Sequence, residues 1–132
     1  MDIKSLKEAL AASRNACVEI DNRTFNVRLP TDAQAARYID RYFRGGKSED
    51  TDWAQASVRE SLTGWSGLTV ADLLPDAGDE ALPFNAENLE LLLEHRMDIV
   101  NALAVQIHGK ARERRDLRDT ATKNSLPASS LN

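Results

Sequence analysis

Residues 16–30 read ACVEIDNRTFNVRLP, and apolar and polar side chains alternate on both sides of the Asp-Asn pair in this stretch. The period of two is that of a β-strand with one buried face. Asp21 and Asn22 both tolerate the positive φ that a two-residue hairpin turn requires. The sequence therefore predicts a β-hairpin at about residues 16–29 with one apolar face, in which the cross-strand pairs are Ile20 with Arg23, Val18 with Phe25, and Ala16 with Val27.

A hairpin on its own is marginally stable in water, so this one must pack against helices or pair its edges with another strand. The rest of the sequence contains no other clear strand pattern. The second route would therefore require a strand from another molecule, and it favours a homo-oligomer or a partner strand.

Helical patterns occupy most of the remaining chain. Apolar residues at three-to-four spacing indicate helices at about 2–13, from 31 to the Gly45-Gly46 pair, and at about 51–62. Thr31 and Gln34 have the spacing of a capping box. Two further helices begin near residues 85 and 98. We predict an α+β, predominantly α-helical single domain at 1–122, with an N-terminal helix and hairpin, about four further helices, and a disordered tail at 123–132.

The connection between these helices has its own signature. Residues 61–95 read SLTGWSGLTVADLLPDAGDEALPFNAENLELLLEH, with two glycines around Trp65 and an Asn85 that suits a helix N-cap. Phe84 and Leu89 occupy the two positions of a hydrophobic staple, which sets the angle at which a helix begins. We interpret Trp65, Phe84 and Leu89 as an apolar brace between a loop and the helix that follows it.

No group of residues has the spacing of a catalytic or metal site. His95 and His108 fit no zinc-ligand pattern and are interpreted as helix-surface or helix-end residues. Cys17, the single cysteine, lies on the outward face of the predicted hairpin, where a nucleophilic role would need a distant partner. The GWSG run lacks the spacing of a nucleophile elbow, and FRGGKSED lacks the first glycine of a phosphate-binding loop. We therefore predict no enzymatic activity, cofactor or metal.

Net charge is −4, but the charge is unevenly distributed. Residues 47–94 carry two Lys or Arg against eleven Asp or Glu, whereas the thirds on either side are mildly basic. A dedicated nucleic-acid binder needs a large basic surplus, which this chain lacks. The acidic middle permits self-association or docking to a basic partner, and solubility alone explains it equally well. The segment KARERRDLR (110–118) has interrupting acids and no aromatic residues, which favours a solvated helix or one lying along an acidic partner.

The stretch SLTGWSG, followed after an acidic loop by LPFNAENLELLLE, resembles the tail assembly chaperones of long-tailed bacteriophages. The resemblance covers about residues 58–94, and the hairpin adds a weaker match. The segment LTVADLLPDAGDEA is longer than the acidic turn of that family, and the arginine-rich segment has no counterpart there. The matching positions are Leu62, Trp65, Gly67, Pro83, Phe84, Asn85, Glu87, Asn88, Leu89, Leu92 and Leu93.

The resemblance implies a small non-enzymatic protein that binds the tape-measure protein and/or tail tube subunits during tail assembly. It implies a location in the host cytoplasm and absence from the mature virion. A single cysteine and the lack of a secretion signal agree with that compartment. Candidate partner-binding residues are Val100, Leu103 and Ile107, which form one face of the last predicted helix. The alternatives are a structural tail or head–tail joining subunit and, less favoured, an arginine-helix nucleic-acid adaptor.

Overall fold

The structure, a computed structural model, describes residues 1–44 and 47–124, apart from the side chains of residues 44 and 47–52. Gly45-Gly46 and most of the tail predicted at 123–132 lie outside the described residues. The predicted α+β, mostly helical class is confirmed. The elements in chain order are α1 (Ile3–Ala12), β1 (Asn15–Ile20), β2 (Arg23–Arg28), α2 (Asp32–Arg44), α3 (Lys47–Ser61), β3 (Leu62–Ser66), a 3₁₀ turn (Val70–Asp72), α4 (Ala86–His95) and α5 (Met97–Asn124).

The predicted hairpin is confirmed in its turn and in its register. β1 pairs antiparallel with β2, and Ile20 lies opposite Arg23, Val18 opposite Phe25, and Ala16 opposite Val27. Asp21 and Asn22 form the turn with φ of 50° and 66°. Positive φ at both central residues gives the turn a twist that matches the strands.

The absence of another strand was predicted wrongly. Leu62–Ser66 forms β3, which pairs antiparallel with β2 and places Trp65 opposite Phe25. The register shifts between Asn26 and Val27, and the Thr63 hydroxyl donates to the Asn26 carbonyl oxygen at 3.1 Å across this bulge. β2 is therefore the central strand of a three-stranded sheet. Because the hairpin finds its third strand within the chain, the argument for self-association from an unpaired hairpin loses its basis.

Local capping signals fix where several helices begin. The Asp2 carboxylate accepts from the Ser5 N–H at the start of α1. Thr31 and Gln34 form the predicted capping box at the start of α2, with reciprocal bonds of 2.9 and 3.1 Å. Asn85 caps α4 by accepting from the Asn88 N–H, as predicted. α3 begins at Lys47, earlier than the predicted start near residue 51.

The segment between β3 and α4 is tied to the rest of the fold through Asp72. One Asp72 carboxylate oxygen accepts from the Thr69 N–H at 2.7 Å, and the other accepts from the Arg23 guanidinium at 2.6 Å. The Asp72 carbonyl oxygen accepts from Arg96, which lies at the junction of α4 and α5. The Arg23 hydrogen bond, as the largest cause, lowers the pKa of Asp72 below its usual value. One acidic residue therefore joins the hairpin, the loop and the helix junction.

The core lies between the inward face of the sheet and helices α3, α4 and α5. Helix α1 stays outside it, because none of its residues is buried and its apolar residues Ile3, Leu6 and Leu10 face solvent. The Arg114 guanidinium donates to the Ser13 hydroxyl next to α1. The buried core residues include Val18, Phe25, Val27, Ala54, Val58, Leu62, Leu89, Leu92, Leu93, Val100, Leu103 and Ile107.

Replacing Gly67 with alanine should destabilise the fold more than the same change at Gly78. Both residues have positive φ, 83° and 95°, which costs an alanine about 1–2 kcal/mol. A Cβ at Gly67 would also lie 2.8 Å from the Asn22 carbonyl oxygen, whereas one at Gly78 meets nothing within 4 Å. Overpacking of this kind adds about 1–3 kcal/mol. Urea unfolding of Gly67→Ala and Gly78→Ala measures the difference, and equal losses would contradict the close approach.

Candidate functional site

Two residues of the predicted brace, Trp65 and Phe84, are in contact beside β3. The Trp65 indole N–H donates to the Leu82 carbonyl oxygen at 2.7 Å. The Phe84 ring meets the Trp65 ring edge to face, with centroids 4.8 Å apart. Leu89 is buried in the core, whereas Phe84 remains 37% exposed. Trp65 thus connects β3 to the chain just before α4, and Asn85 caps the start of that helix.

The structure corrects the candidate partner-binding stripe. Val100, Leu103 and Ile107 are each 0% exposed and belong to the core of the chain itself. A buried side chain offers no contact area to another protein in this conformation. This apolar face of α5 packs in the core, so a partner-binding surface must be formed by other residues.

An open groove lies between α2 and α5, with α3 beneath it. At one end, a cavity of about 230 Å³ is lined by Ile39, Tyr42, Phe43, Trp53 and Val105. We call this the apolar end. Phe43 is 76% exposed and Val105 is 65% exposed, although both are large apolar side chains. Clustered exposed apolar groups of this kind mark interaction sites more often than isolated ones do.

The groove continues into a cavity of about 350 Å³ that shares Ile39, Trp53 and Val105 with the first. Its further lining includes Arg112 and Arg115 of α5, and we call this the basic end. No salt bridge within the described residues involves Arg112 or Arg115. The α2–α5 groove thus combines an apolar section with a section of positive charge.

Aromatic contacts hold the base of the groove together. The Trp53 ring lies 5.6 Å from Tyr42 and 5.2 Å from His108, and Tyr38 meets His108 edge to face at 5.4 Å. The Trp53 indole N–H is buried without an acceptor among the described residues. An unmade hydrogen bond of this kind costs about 1–3 kcal/mol, so the base of the groove is not optimised for stability.

His108 is packed between helices, and the prediction of a helix-surface or helix-end residue is wrong for it. Its Nε2 is hydrogen-bonded to the Ser57 hydroxyl at 2.7 Å. Burial, followed by the charge of Arg115, lowers the pKa of His108 below its usual value of 6.5. His95, in contrast, is exposed and ends α4, as predicted.

The Ser57–His108 pair has the hydrogen bond of a serine nucleophile and its base. Ser57 is 0% exposed, however, so its oxygen cannot meet a substrate carbonyl in this conformation. Cys17 is exposed on the outward face of the hairpin, and its thiol donates to the Asn26 side-chain oxygen at 3.2 Å. Among the side chains that the structure describes, no group of three or more His, Cys, Asp or Glu is placed to hold a metal ion.

No protein-family model, curated protein or solved structure matches the chain. In the part of the chain that the structure describes, no helix combines the length and the apolar composition needed to cross a membrane.

The sequence contained a signal for the groove that periodicity alone did not resolve. Four of the seven aromatic residues, Tyr38, Tyr42, Phe43 and Trp53, fall within residues 38–53. Tyr42 and Phe43 continue the three-to-four spacing of apolar residues in α2, which is the usual pattern of a buried face. Tyr42 and Phe43 instead remain substantially exposed. The density of aromatic residues was therefore more informative than their spacing.

Trp65→Phe should reduce the free energy of unfolding more than Trp53→Phe. The first substitution leaves the carbonyl oxygen of the buried Leu82 without its donor, whereas the second removes a donor that has no described acceptor. We expect a difference of about 1–3 kcal/mol in denaturant unfolding. The two substitutions change the same atoms, so an equal loss, or the reverse order, would contradict these hydrogen-bond assignments.

Lowering the pH below about 6.5 should destabilise the protein through His108. The unfolded chain then binds a proton that the folded chain resists, because the folded pKa of His108 is lowered. Above the pKa of the unfolded chain, His108 is neutral in both states, and its contribution to the free energy of unfolding does not change with pH. Urea unfolding at several values between about pH 5 and 8 measures the effect. His108→Gln should remove this part of the pH dependence, whereas His95→Gln, at the other histidine of the chain, should retain it.

Proposed function

We propose that the chain acts as a non-enzymatic tail assembly chaperone of a long-tailed bacteriophage or prophage. In this role it binds the tape-measure protein in the host cytoplasm, keeps it soluble while the tail tube assembles, and is absent from the finished particle. The proposal combines the resemblance over residues 58–94 with a surface suited to holding another polypeptide.

The observation that carries the proposal is the α2–α5 groove. A long helical protein exposes apolar stripes before it is packed into an assembly, and a chaperone must cover them. The apolar end provides Phe43 and Val105 as exposed contacts and Trp53 as a partly buried base. A groove between two helices is a common acceptor for the apolar face of a third. Its open form also suits transient binding better than a closed pocket would.

The brace contributes by fixing the scaffold behind this surface. Trp65 and Phe84 hold the start of α4, and Leu92 and Leu93 of α4 join the core that also contains Val100 of α5. The core packing of α5 places Val105 in the same cavity as Trp53. The family-like residues 58–94 thus support the groove without forming it.

Co-expression with the tape-measure protein of the same phage genome tests the proposal. The wild-type chain should increase the soluble tape-measure protein and co-purify with it. Val105→Asp places a charge in the apolar end and should weaken binding by about thirtyfold, as expected for loss of a central apolar contact. Titration of purified components by calorimetry gives the dissociation constants.

Leu117→Asp is the matched control. Leu117 is on the same helix and is 73% exposed, but it does not line the groove. This variant should bind as the wild type does. No binding by the wild type, or equal binding by both variants, would refute a chaperone that works through this groove. Peptide mass spectrometry of purified virions provides a separate check, because finding the chain there would favour a structural tail subunit.

A further inference from the structure

The two ends of the α2–α5 groove offer different chemistry to an occupant. Phe43, Ile39 and Val105 surround the apolar end, whereas Arg112 and Arg115 lie at the basic end. An apolar helix without charge would satisfy only the first of these sections. An occupant that fits the whole groove has an apolar section at one end and charged side chains at the other.

The positive charge of the basic end is not neutralised by a direct ion pair within the described residues. Asp32, the acidic residue at the start of α2, forms its salt bridge with Arg118 at 2.8 Å. Arg115 acts on Asp32 only through the longer-range charge interaction, and its charge also reaches His108. Arg112 is exposed. Both guanidinium groups are therefore available to carboxylates from outside the chain.

The directions of the helices set the spacing between the two ends. The Asp32–Arg118 salt bridge joins the start of α2 to the later part of α5, whereas Tyr42 and Phe43 share a cavity with Val105. The two helices thus run in opposite directions along the groove. Along α5, Arg112 and Arg115 lie about 10–15 Å from Val105 at 1.5 Å per residue. A helix placed parallel to α5 covers that distance in two to three turns.

We infer that the α2–α5 groove selects a partner helix whose apolar stripe is followed, two to three turns away on the same face, by acidic side chains. The inference rests on the proposed function and specifies the chemistry of the partner that the same site takes. Arginine suits this role because its guanidinium binds a carboxylate through two parallel hydrogen bonds.

Charge disfavours a second copy of this chain as the occupant. The one helix with a wholly unburied apolar stripe in the described chain is α1, and it carries Lys4 and Lys7 against Glu8. Because Asp2 caps its start, this helix offers Arg112 and Arg115 no net negative charge. A negatively charged partner helix is instead attracted to Arg112 and Arg115, and this attraction also accelerates association.

The test uses three synthetic peptides of about 20 residues, which is longer than the roughly 12–15 residues below which isolated helices are marginal. All three carry one leucine stripe. The first has two glutamates on the face of the stripe, two to three turns from its centre. The second has lysines at those positions, and the third moves the glutamates to the opposite face. Calorimetric titration against the full chain at low ionic strength gives the three dissociation constants.

We expect the first peptide to bind about tenfold more tightly than either of the others, a difference of about 1.4 kcal/mol. Added salt should reduce this preference, because it screens exposed charges. In Arg112→Glu/Arg115→Glu the preference should reverse in favour of the lysine peptide. A reversal also demonstrates that the double variant is folded. Lys110→Glu/Lys123→Glu, with the same change in net charge on the same helix but outside the groove, should keep the wild-type preference.

Equal binding of the three peptides, a preference that persists in the arginine double variant, or no binding of any peptide would overturn the inference. Self-association that Val105→Asp abolishes would also overturn it, by making a second copy the occupant. The proposed function would be refuted by a different result, namely that the wild-type chain does not bind the tape-measure protein. A tape-measure protein that binds in a Val105-dependent manner, together with peptides that show no charge preference, would refute the inference alone.

Discussion

Strand β2 is hydrogen-bonded along both of its edges, and the pairing with β3 is the interaction on which the rest of the structure depends. It converts a marginal hairpin into a sheet, with Trp65 opposite Phe25. Because β3 follows α3 without an intervening loop, the same pairing fixes the position of the C-terminal end of α3 beside the sheet. Trp65 is then placed to donate to Leu82 and to meet Phe84, directly before the Asn85 N-cap of α4. A five-residue strand therefore connects the sheet with the helical half of the fold.

The features that sequence reasoning predicted correctly are those encoded over a few neighbouring residues. The Asp-Asn turn fixes the hairpin register, and Thr31 with Gln34 fixes the start of α2. β3 was missed because it is short, contains Gly64 and has no recognisable alternation. Its pairing is decided by a partner strand more than 30 residues earlier, as Asn26 and Gly64 illustrate. The apolar stripe of α5 was found correctly, but spacing does not state whether such a stripe meets the chain's own core or another protein.

The sequence pattern did not predict the groove, for a related reason. Its lining comes from α2, α3 and α5, and the distance between these helices is set by the packing of α3 on both. Protein cores usually bury aromatic residues and give each buried donor an acceptor. Here Phe43 remains exposed, and the Trp53 N–H has no described acceptor. A local departure from good packing within an otherwise well-packed fold is typical of functional or strained sites.

The positions of the two tryptophans have a practical consequence. Trp65 lies against Phe84 with its indole bonded to Leu82, whereas Trp53 lies at the base of the groove beside His108. Indole emission depends on local polarity and on neighbouring quenching groups, and the chain contains no third tryptophan. Each residue therefore serves as an intrinsic fluorophore for one half of the molecule. Filling the groove would change the emission of Trp53 and leave that of Trp65 almost constant, so occupancy becomes optically visible without an added label.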